Sequence, residues 1–219
     1  MFNTIASKYD TLNRCLSLGR DLIWRKKAVK LLAGSFKQKV VVDLCGGTGD
    51  FSKAWLREHP ETGSVIVGDF ALNMLLNVPL KLPKVKSLQL DAMRLPFKDG
   101  TVDVALNGFG MRNLLIARVG LEEVQRVLKP GGQFVTLEFF RPEGRFSRFF
   151  YEKLAPLIIP QVGMVFARKR LAYKYLSQSV LGFLSASEYS SLAELCGFGK
   201  ASTVYLDKGI AAVVVLEKL

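Results

Sequence analysis

The chain of 219 residues has one histidine, His59, and three cysteines, Cys15, Cys45 and Cys196. The histidine stands just before Pro60 at an expected helix end, far in sequence from any strand-end loop. The default general base is therefore missing. With it go a Ser-His-Asp triad, a Cys-His pair and any His/Cys metal cluster, so no metal is expected. The cysteines lack metal spacing and leave an odd thiol, which argues for a reducing cytoplasm and against a disulfide framework. No basic-then-apolar leader opens the chain, so no secretory signal is expected. Long apolar runs are also lacking. The longest mainly apolar stretch, 154–167, is broken by Pro156, Pro160, Gln161 and Gly163, and is too short to span a bilayer. Neither internal repeats nor low-complexity linkers occur.

Acidic residues are scarce: 19 Asp and Glu stand against 31 Lys and Arg, a net charge of +12. The placement is uneven. Residues 1–40 carry +7, 41–140 balance to zero, 141–175 carry +6, and the remainder carries −1. Two basic segments thus flank a neutral centre. Such flanks suit anionic lipid, nucleic acid or an acidic substrate, or are simply a solvated surface. The 49% hydrophobic content supports a real core, and the length fits one domain, with or without an inserted lid.

Strand and helix patterns alternate through that centre. Strands are expected at 39–44, 64–69, 86–90, 102–107 and 133–139, and helices at 51–59, near 72–78 and at 121–128. The last helix ends at Lys129-Pro130-Gly131-Gly132. Alternation of this kind predicts an α/β fold with a doubly wound, mostly parallel sheet. The tail reads as helical to about 182, then a helix at 187–196. Two strands follow, near 200–206 and 210–216, about a turn at Asp207-Lys208-Gly209: an antiparallel hairpin on the sheet edge.

The most informative run is Val40-Val41-Val42-Asp43-Leu44-Cys45-Gly46-Gly47-Thr48-Gly49-Asp50. An apolar β-branched strand ends in a carboxylate, then a glycine-rich turn leads into a helix. Glycine allows positive φ and close approach of a ligand to bare backbone, and a helix N-terminus favours anionic groups. The dinucleotide fingerprint needs a further glycine at 52, where this chain has serine, so a dehydrogenase is disfavoured. Asp43, four residues before Gly47, instead suits a cofactor with a cationic end and no pyrophosphate, such as S-adenosyl-L-methionine.

Ligands of open α/β sheets bind beyond the carboxyl ends of the strands. There lie Asp43, Gly47, Thr48 and Gly49 after the first strand. Asp69 ends the second strand, twenty residues past Gly49, where it can accept both ribose hydroxyls or cap the next helix. Asp91 and Ala92 follow the third strand, placed to take an adenine edge. The fourth ends in Asn107-Gly108-Phe109-Gly110, where two glycines around an aromatic point to close backbone approach. A sulfonium donor is already activated, so positioning supplies most of the rate. Arg112 and Asn113 are placed to hold the oxygen of a nucleophilic acceptor, a phenolate or electron-rich ring. A surface salt bridge is the other reading of Arg112.

Several motifs together resemble the ubiquinone/menaquinone biosynthesis C-methyltransferase family over essentially the whole chain. They are the opening Met1–Asp10 with Leu12-Asn13 and Leu16-Ser17-Leu18-Gly19, the loop 43–50, and Leu95-Pro96-Phe97. Three more are Phe109-Gly110-Met111-Arg112-Asn113, Arg126-Val127-Leu128-Lys129-Pro130-Gly131-Gly132, and Ala172-Tyr173-Lys174-Tyr175-Leu176-Ser177-Gln178-Ser179. The resemblance implies a class I methyltransferase fold, a single domain over 1–219 with an N-terminal helical arm at 1–38 and a helical lid at 141–185 on the substrate side. It implies S-adenosyl-L-methionine as donor and ring C-methylation of a prenylated quinol. Thr48, Asp69, Asp91 and Ala92 would bind cofactor. Tyr9, Arg112 and Asn113 would line the reacting ring, Arg112 helping to remove the ring proton through a water, and Tyr173 and Tyr175 would belong to the quinone pocket. A lipid substrate gives the basic flanks and the stretch 149–166 a use at a membrane surface and prenyl tail, although ordinary core explains that stretch equally. Expected partners are therefore the quinol and, peripherally, the inner face of the membrane from the cytoplasm. No nucleic acid is expected, and a homodimer is left open. Gly108, Leu184, the run 167–170 and Val214 depart from the family pattern, and these departures cluster on the substrate side. A methyltransferase of another acceptor, RNA included, and a non-catalytic cofactor-binding protein are the competing readings.

Overall fold

The computed structural model describes residues 13–14, 17–78, 84–156 and 178–219. Helix α1 (Arg20–Lys30) precedes β1 (Val40–Leu44), α2 (Asp50–Glu58), β2 (Ser64–Asp69) and the short α3 (Leu72–Leu75). There follow β3 (Val85–Gln89), β4 (Val102–Gly108), a 3-10 turn Met111–Asn113, α4 (Ala117–Val127) and β5 (Leu128–Glu138). Helix α5 (Arg145–Phe149) runs on into a π turn, Phe150–Leu154. After it come α6 (Ala186–Leu195), β6 (Ser202–Leu206) and β7 (Ala211–Glu217). The seven strands form one sheet in the order β3-β2-β1-β4-β5-β7-β6. The first five are parallel, and β7 runs antiparallel to both β5 and β6. The order reverses between β1 and β4, so the chain leaves these neighbours in opposite directions and a crevice opens above their carboxyl ends.

Period-two alternation builds two cores. Val41, Val104, Leu106, Val135 and Val213 face one way, against Trp24, Val29, Phe51 and Trp55 of α1 and α2. Val42, Ala105, Phe134 and Val214 face the other way, against Leu121, Val124, Tyr189 and Ala193 of α4 and α6. Strands buried on both faces need largely apolar sequence, which Val40–Val42 of β1, Val104–Leu106 of β4 and Ala211–Leu216 of β7 supply. Helix α1 buries positions 21, 24, 25, 28 and 29, the stripe of a helix lying on a core. Helix α6 starts at a capping box, in which Ser185 and Glu188 satisfy each other's backbone N–H groups.

Two expectations are corrected. Helix α4 begins at Ala117, a turn before residue 121, because Gly120 packs inward with Leu121. Lys129-Pro130-Gly131-Gly132 is not a loop between helix and strand but part of β5. Leu128 already pairs with Val102, and the chain's last residues hold the glycines: Gly131 N donates to Lys218 O at 2.8 Å and Lys218 N to Gly132 O at 2.9 Å. The C-terminal antiparallel hairpin does lie at the sheet edge. β7 inserts between β5 and β6, leaving β6 outermost.

One well-packed aromatic layer lies under α2. Trp55 is fully buried, donates from Nε1 to Thr62 Oγ1 at 2.8 Å, and meets the Phe36 ring edge-on at 4.9 Å. Trp55→Ala is expected to cost about 3–5 kcal/mol in urea unfolding. A loss below 1 kcal/mol would mean that this layer is not part of the cooperative core.

Candidate active site

Four polar side chains lie at the ends of four neighbouring parallel strands, and each accepts from at least one backbone N–H of a strand-end loop or of the helix after it. Asp43 of β1 accepts through Oδ2 from Ser52 N at 2.9 Å and Ser52 Oγ at 2.6 Å, fixing the first turn of α2. Asp69 of β2 accepts from Gly47 N at 2.9 Å and from Ala71 N at 2.8 Å, so it ties the glycine loop to its own turn. It does not cap α3, whose N-cap is Ala71. Asn107 of β4 donates to Leu44 O at 2.8 Å and accepts from Gly110 N and Met111 N, joining the loops after β1 and β4. Glu138 of β5 accepts from Phe139 N at 2.7 Å and Arg112 N at 3.3 Å.

The loops these groups hold are tight. Gly49, the N-cap of α2, has φ +79°, and Gly110 is a contact requirement. A Cβ on Gly110 would lie 2.5 Å from Cys45 Cβ and 2.6 Å from Asn107 Nδ2. Cys45 and Phe109 both adopt left-handed φ near 52° and 62°, unusual for side-chain-bearing residues. Between the two loops lies a cleft lined by Cys45, Gly47, Asp69, Met74, Phe109, Gly110 and Asn113.

Electrostatics distinguish the carboxylates. Burial pushes Asp43 up to about 6, against the Ser52 bonds and the charge of Arg25. Its Oδ1 is buried with no hydrogen-bond partner among the described residues. Burial also raises Asp69, opposed by the Ala71 and Gly47 N–H groups. Beside them, Arg14 pairs with Asp21 and with Asp50 (2.5 Å), and Arg25 pairs with Asp21 at 2.7 Å. This network ties the segment before α1 to the first turn of α2. At the far side of the cleft, Arg112 Nη1 donates to Glu138 Oε1 at 2.6 Å and to Phe109 O at 2.7 Å, its guanidinium 5.6 Å above the Phe139 ring.

Of the residues expected from sequence, Gly47, Asp69 and Asn113 line the cleft together, with Thr48 buried in the same loop. Asp91 stands at the next strand end, its Oδ1 accepting from Met93 N at 2.8 Å, beside the buried Ala92. Gly108 does not line the cleft: a Cβ there would lie 3.0 Å from the Phe51 ring, so its smallness serves packing. Arg112 and Asn113 diverge. Asn113 faces the cleft, whereas Arg112 borders a separate apolar groove formed by Leu114, Leu115, Ile116, Phe183 and Leu184. The Arg112 salt bridge is buried, not superficial. Tyr9, Tyr173 and Tyr175 lie outside the described residues. His59 sits past the end of α2, away from the strand ends, between the rings of Phe36 and Trp55. Sequence reasoning passed over Asn107, Glu138 and Arg25. A charged residue in the apolar run Phe134–Phe140 and an amide before Gly108 were the available signals.

The arrangement suits a ligand with a diol and a cationic end. Each Asp69 oxygen holds one N–H and can accept a second bond. Asp43 is fully buried and does not itself line the cleft, but its unsatisfied oxygen makes positive charge nearby favourable. Comparison with known proteins agrees with this chemistry. The ubiE/COQ5 methyltransferase family profile matches residues 1–218. A demethylmenaquinone methyltransferase of Staphylococcus aureus (strain JH9) is 35% identical over 216 residues, covering 97% of this chain and 89% of the relative. Among solved structures, a SAM-dependent methyltransferase from Aquifex aeolicus superposes with TM-score 0.68 at 19% identity, covering 96% of this chain and 98% of that one. The phosphoethanolamine N-methyltransferase 2 of Haemonchus contortus, in complex with S-adenosyl-L-methionine, superposes with TM-score 0.66 at 12% identity, covering 89% and 52%. At such identities the two structures establish the shared fold.

The Asp43 shift has a definite sign. An unfolded aspartate titrates near 3.9, so between about pH 4 and 6 the native state holds a proton that the unfolded chain has lost. Ionising Asp43 therefore costs native stability as pH rises, in full above pH 6. In urea unfolding, the stability of Asp43→Asn relative to wild type is expected to rise by roughly 2 kcal/mol between pH 4.5 and 7. A pH-independent difference would contradict the shift.

Proposed function

The chain belongs to the ubiE/COQ5 methyltransferase family, and we propose that it methylates a ring carbon of a prenylated quinol in menaquinone or ubiquinone biosynthesis, with S-adenosyl-L-methionine as donor. Its relative in Staphylococcus aureus, a demethylmenaquinone methyltransferase, makes demethylmenaquinol the first acceptor to test. The observation that carries the reading is the cleft where Gly47, Asp69 and Asn113 meet above β1, β2 and β4. In this reading Asp69 takes the ribose hydroxyls, and the buried Asp43 favours the cationic end. The loop Gly47-Thr48-Gly49 offers close-packed backbone to the cofactor, and Asp91 with Ala92 borders the adenine. When bound, S-adenosyl-L-methionine supplies a methyl group already activated on a sulfonium.

The protein's own task is then to position and polarise the acceptor. Asn113 and Arg112 hold the acceptor oxygen. A nearby guanidinium favours the phenolate, which directs electron density to the ring carbon. The ring proton is lost once the new C–C bond has formed, with Arg112 assisting through a water. By family resemblance Tyr9, Tyr173 and Tyr175, which lie outside the described residues, would belong to the ring pocket, with the arm 1–38 and the lid 141–185 on the substrate side.

Peripheral association with the cytoplasmic face of a membrane fits a lipid-soluble acceptor. It is supported by Phe146 and Phe149 of α5, which are half exposed and each follow an arginine, Arg145 and Arg148, and by the basic segment 141–175. Each basic residue near an anionic surface adds about 1 kcal/mol. No helix among the described residues is long and apolar enough to cross a membrane.

Labelled methyl from S-adenosyl-L-methionine should enter short-chain demethylmenaquinol or a demethoxy-type benzoquinol presented with reductant and detergent. Cofactor binding without label in either product would refute the quinol reading. Asp69→Ala should weaken cofactor affinity at least tenfold by calorimetry. Arg112→Ala should leave that affinity intact and slow turnover by about 10²-fold. Because alanine leaves Glu138 buried alone, at about 3–5 kcal/mol, Arg112→Lys is measured beside it. Loss of cofactor binding in both Arg112 variants would overturn this division of roles.

A further inference from the structure

Glu138 is fully buried at the end of β5, and both its oxygens are committed to one neighbour. Oε1 accepts from Arg112 Nη1 at 2.6 Å and from Phe139 N at 2.7 Å, while Oε2 accepts from Arg112 N at 3.3 Å. The carboxylate thus grips Arg112 at its backbone and at its side chain. The 3-10 turn Met111–Asn113 cannot shift without breaking both holds. Phe109 O takes Nη1 from the other side at 2.7 Å, and the Phe139 ring lies under the guanidinium. That ring is itself wedged by Phe109 at 4.5 Å and by Trp24 at 5.9 Å. Arg112 Nε is left buried without a hydrogen-bond partner among the described residues.

A buried ion pair is a poor device for stability, because apolar residues of equal volume often serve as well or better. A guanidinium with its Nη1 edge immobilised and its Nε donor unspent, one residue from the Asn113 that lines the cleft, is instead arranged for orientation. We propose that Glu138 is a positioning residue. It clamps Arg112 in one orientation beside the cleft-lining Asn113, and its negative charge balances the guanidinium, setting how strongly the acceptor hydroxyl is driven to ionise. The inference rests on the quinol reading above. Cys45, Tyr151 and Tyr189 also sense the charge of Glu138. Burial pushes all three up, so they stay neutral and leave the balance to Arg112 and Glu138.

The test is steady-state methyl transfer to short-chain demethylmenaquinol by wild type, Glu138→Gln, Glu138→Asp and Arg112→Lys, across pH 6 to 10. S-adenosylhomocysteine binding is measured by calorimetry for each. Glu138→Gln keeps the shape and an acceptor but removes the charge. It should lower kcat about tenfold or more and leave the S-adenosylhomocysteine Kd within about twofold. The unbalanced guanidinium should move the acidic limb of kcat/KM to lower pH by about one unit. Glu138→Asp should hold the limb at the wild-type pH and recover part of kcat, a rescue that a merely structural role would not produce. Wild-type kcat with an unmoved limb in Glu138→Gln would overturn the proposal, as would loss of turnover in step with loss of cofactor affinity. Wild type without labelled product would instead defeat the quinol reading itself, whereas an active wild type with an unaffected Glu138→Gln defeats the role of Glu138 alone.

Discussion

The site depends on one physical constraint: the N–H groups of loops leaving a parallel sheet must be paired where no neighbouring strand can reach them. Here side chains at the strand ends meet that demand. Asp43, Asp69, Asn107 and Glu138 each lie at a strand end and each accept from a backbone N–H of an adjacent loop or, for Asp43, of the first turn of α2. Three of the four are fully buried. Their rigidity is inherited from the sheet, so the cleft between the loops is built on the least deformable part of the molecule. Left-handed backbone at Cys45 and Phe109, costly in isolation, is tolerated because these bonds over-determine it.

The same groups give the site its electrical character. Burying carboxylates without full compensation raises their affinity for protons, so Asp43, Asp69 and Glu138 all shift upward. Cations close by bring them back into use: Arg25 for Asp43, Arg112 for Glu138. The central segment is neutral in sum, yet its charges are concentrated at one end of the sheet as partly compensated pairs. The net positive charge of the chain lies outside, on the arm and on the segment after β5.

Those outer segments are tied to the sheet by ion pairs rather than by strand pairing. Asp207, in the left-handed turn between β6 and β7, accepts from Trp24 Nε1 at 2.7 Å and pairs with Arg20, joining the hairpin to α1. Arg14 joins the segment before α1 to Asp50 at the head of α2, where Arg25, Lys53 and Arg14 outweigh the effect of burial and hold the carboxyl below its usual range. Such partly exposed links are weaker than the core beneath them. They join the hairpin and the segment before α1 to the helices packed on the sheet.

The sequence by itself determined the parts whose cause is local. Continuous β-branched runs, alternation with amphipathic helices and the glycine loop after Asp43 were enough for the parallel sheet, the crevice at its carboxyl ends and the grouping of Gly47, Asp69 and Asn113. Only the tertiary structure decided what each polar group is bonded to. Pairing of the last residues with Gly131 and Gly132 turns an apparent loop into strand. Phe51, a residue on another element, makes Gly108 a packing glycine. Glu138, 26 residues later in the chain, holds the side chain of Arg112. Periodicity records which face of an element is buried. Hydrogen-bond partners brought together from distant positions leave no periodic mark, so they become visible only once the strands are laid side by side.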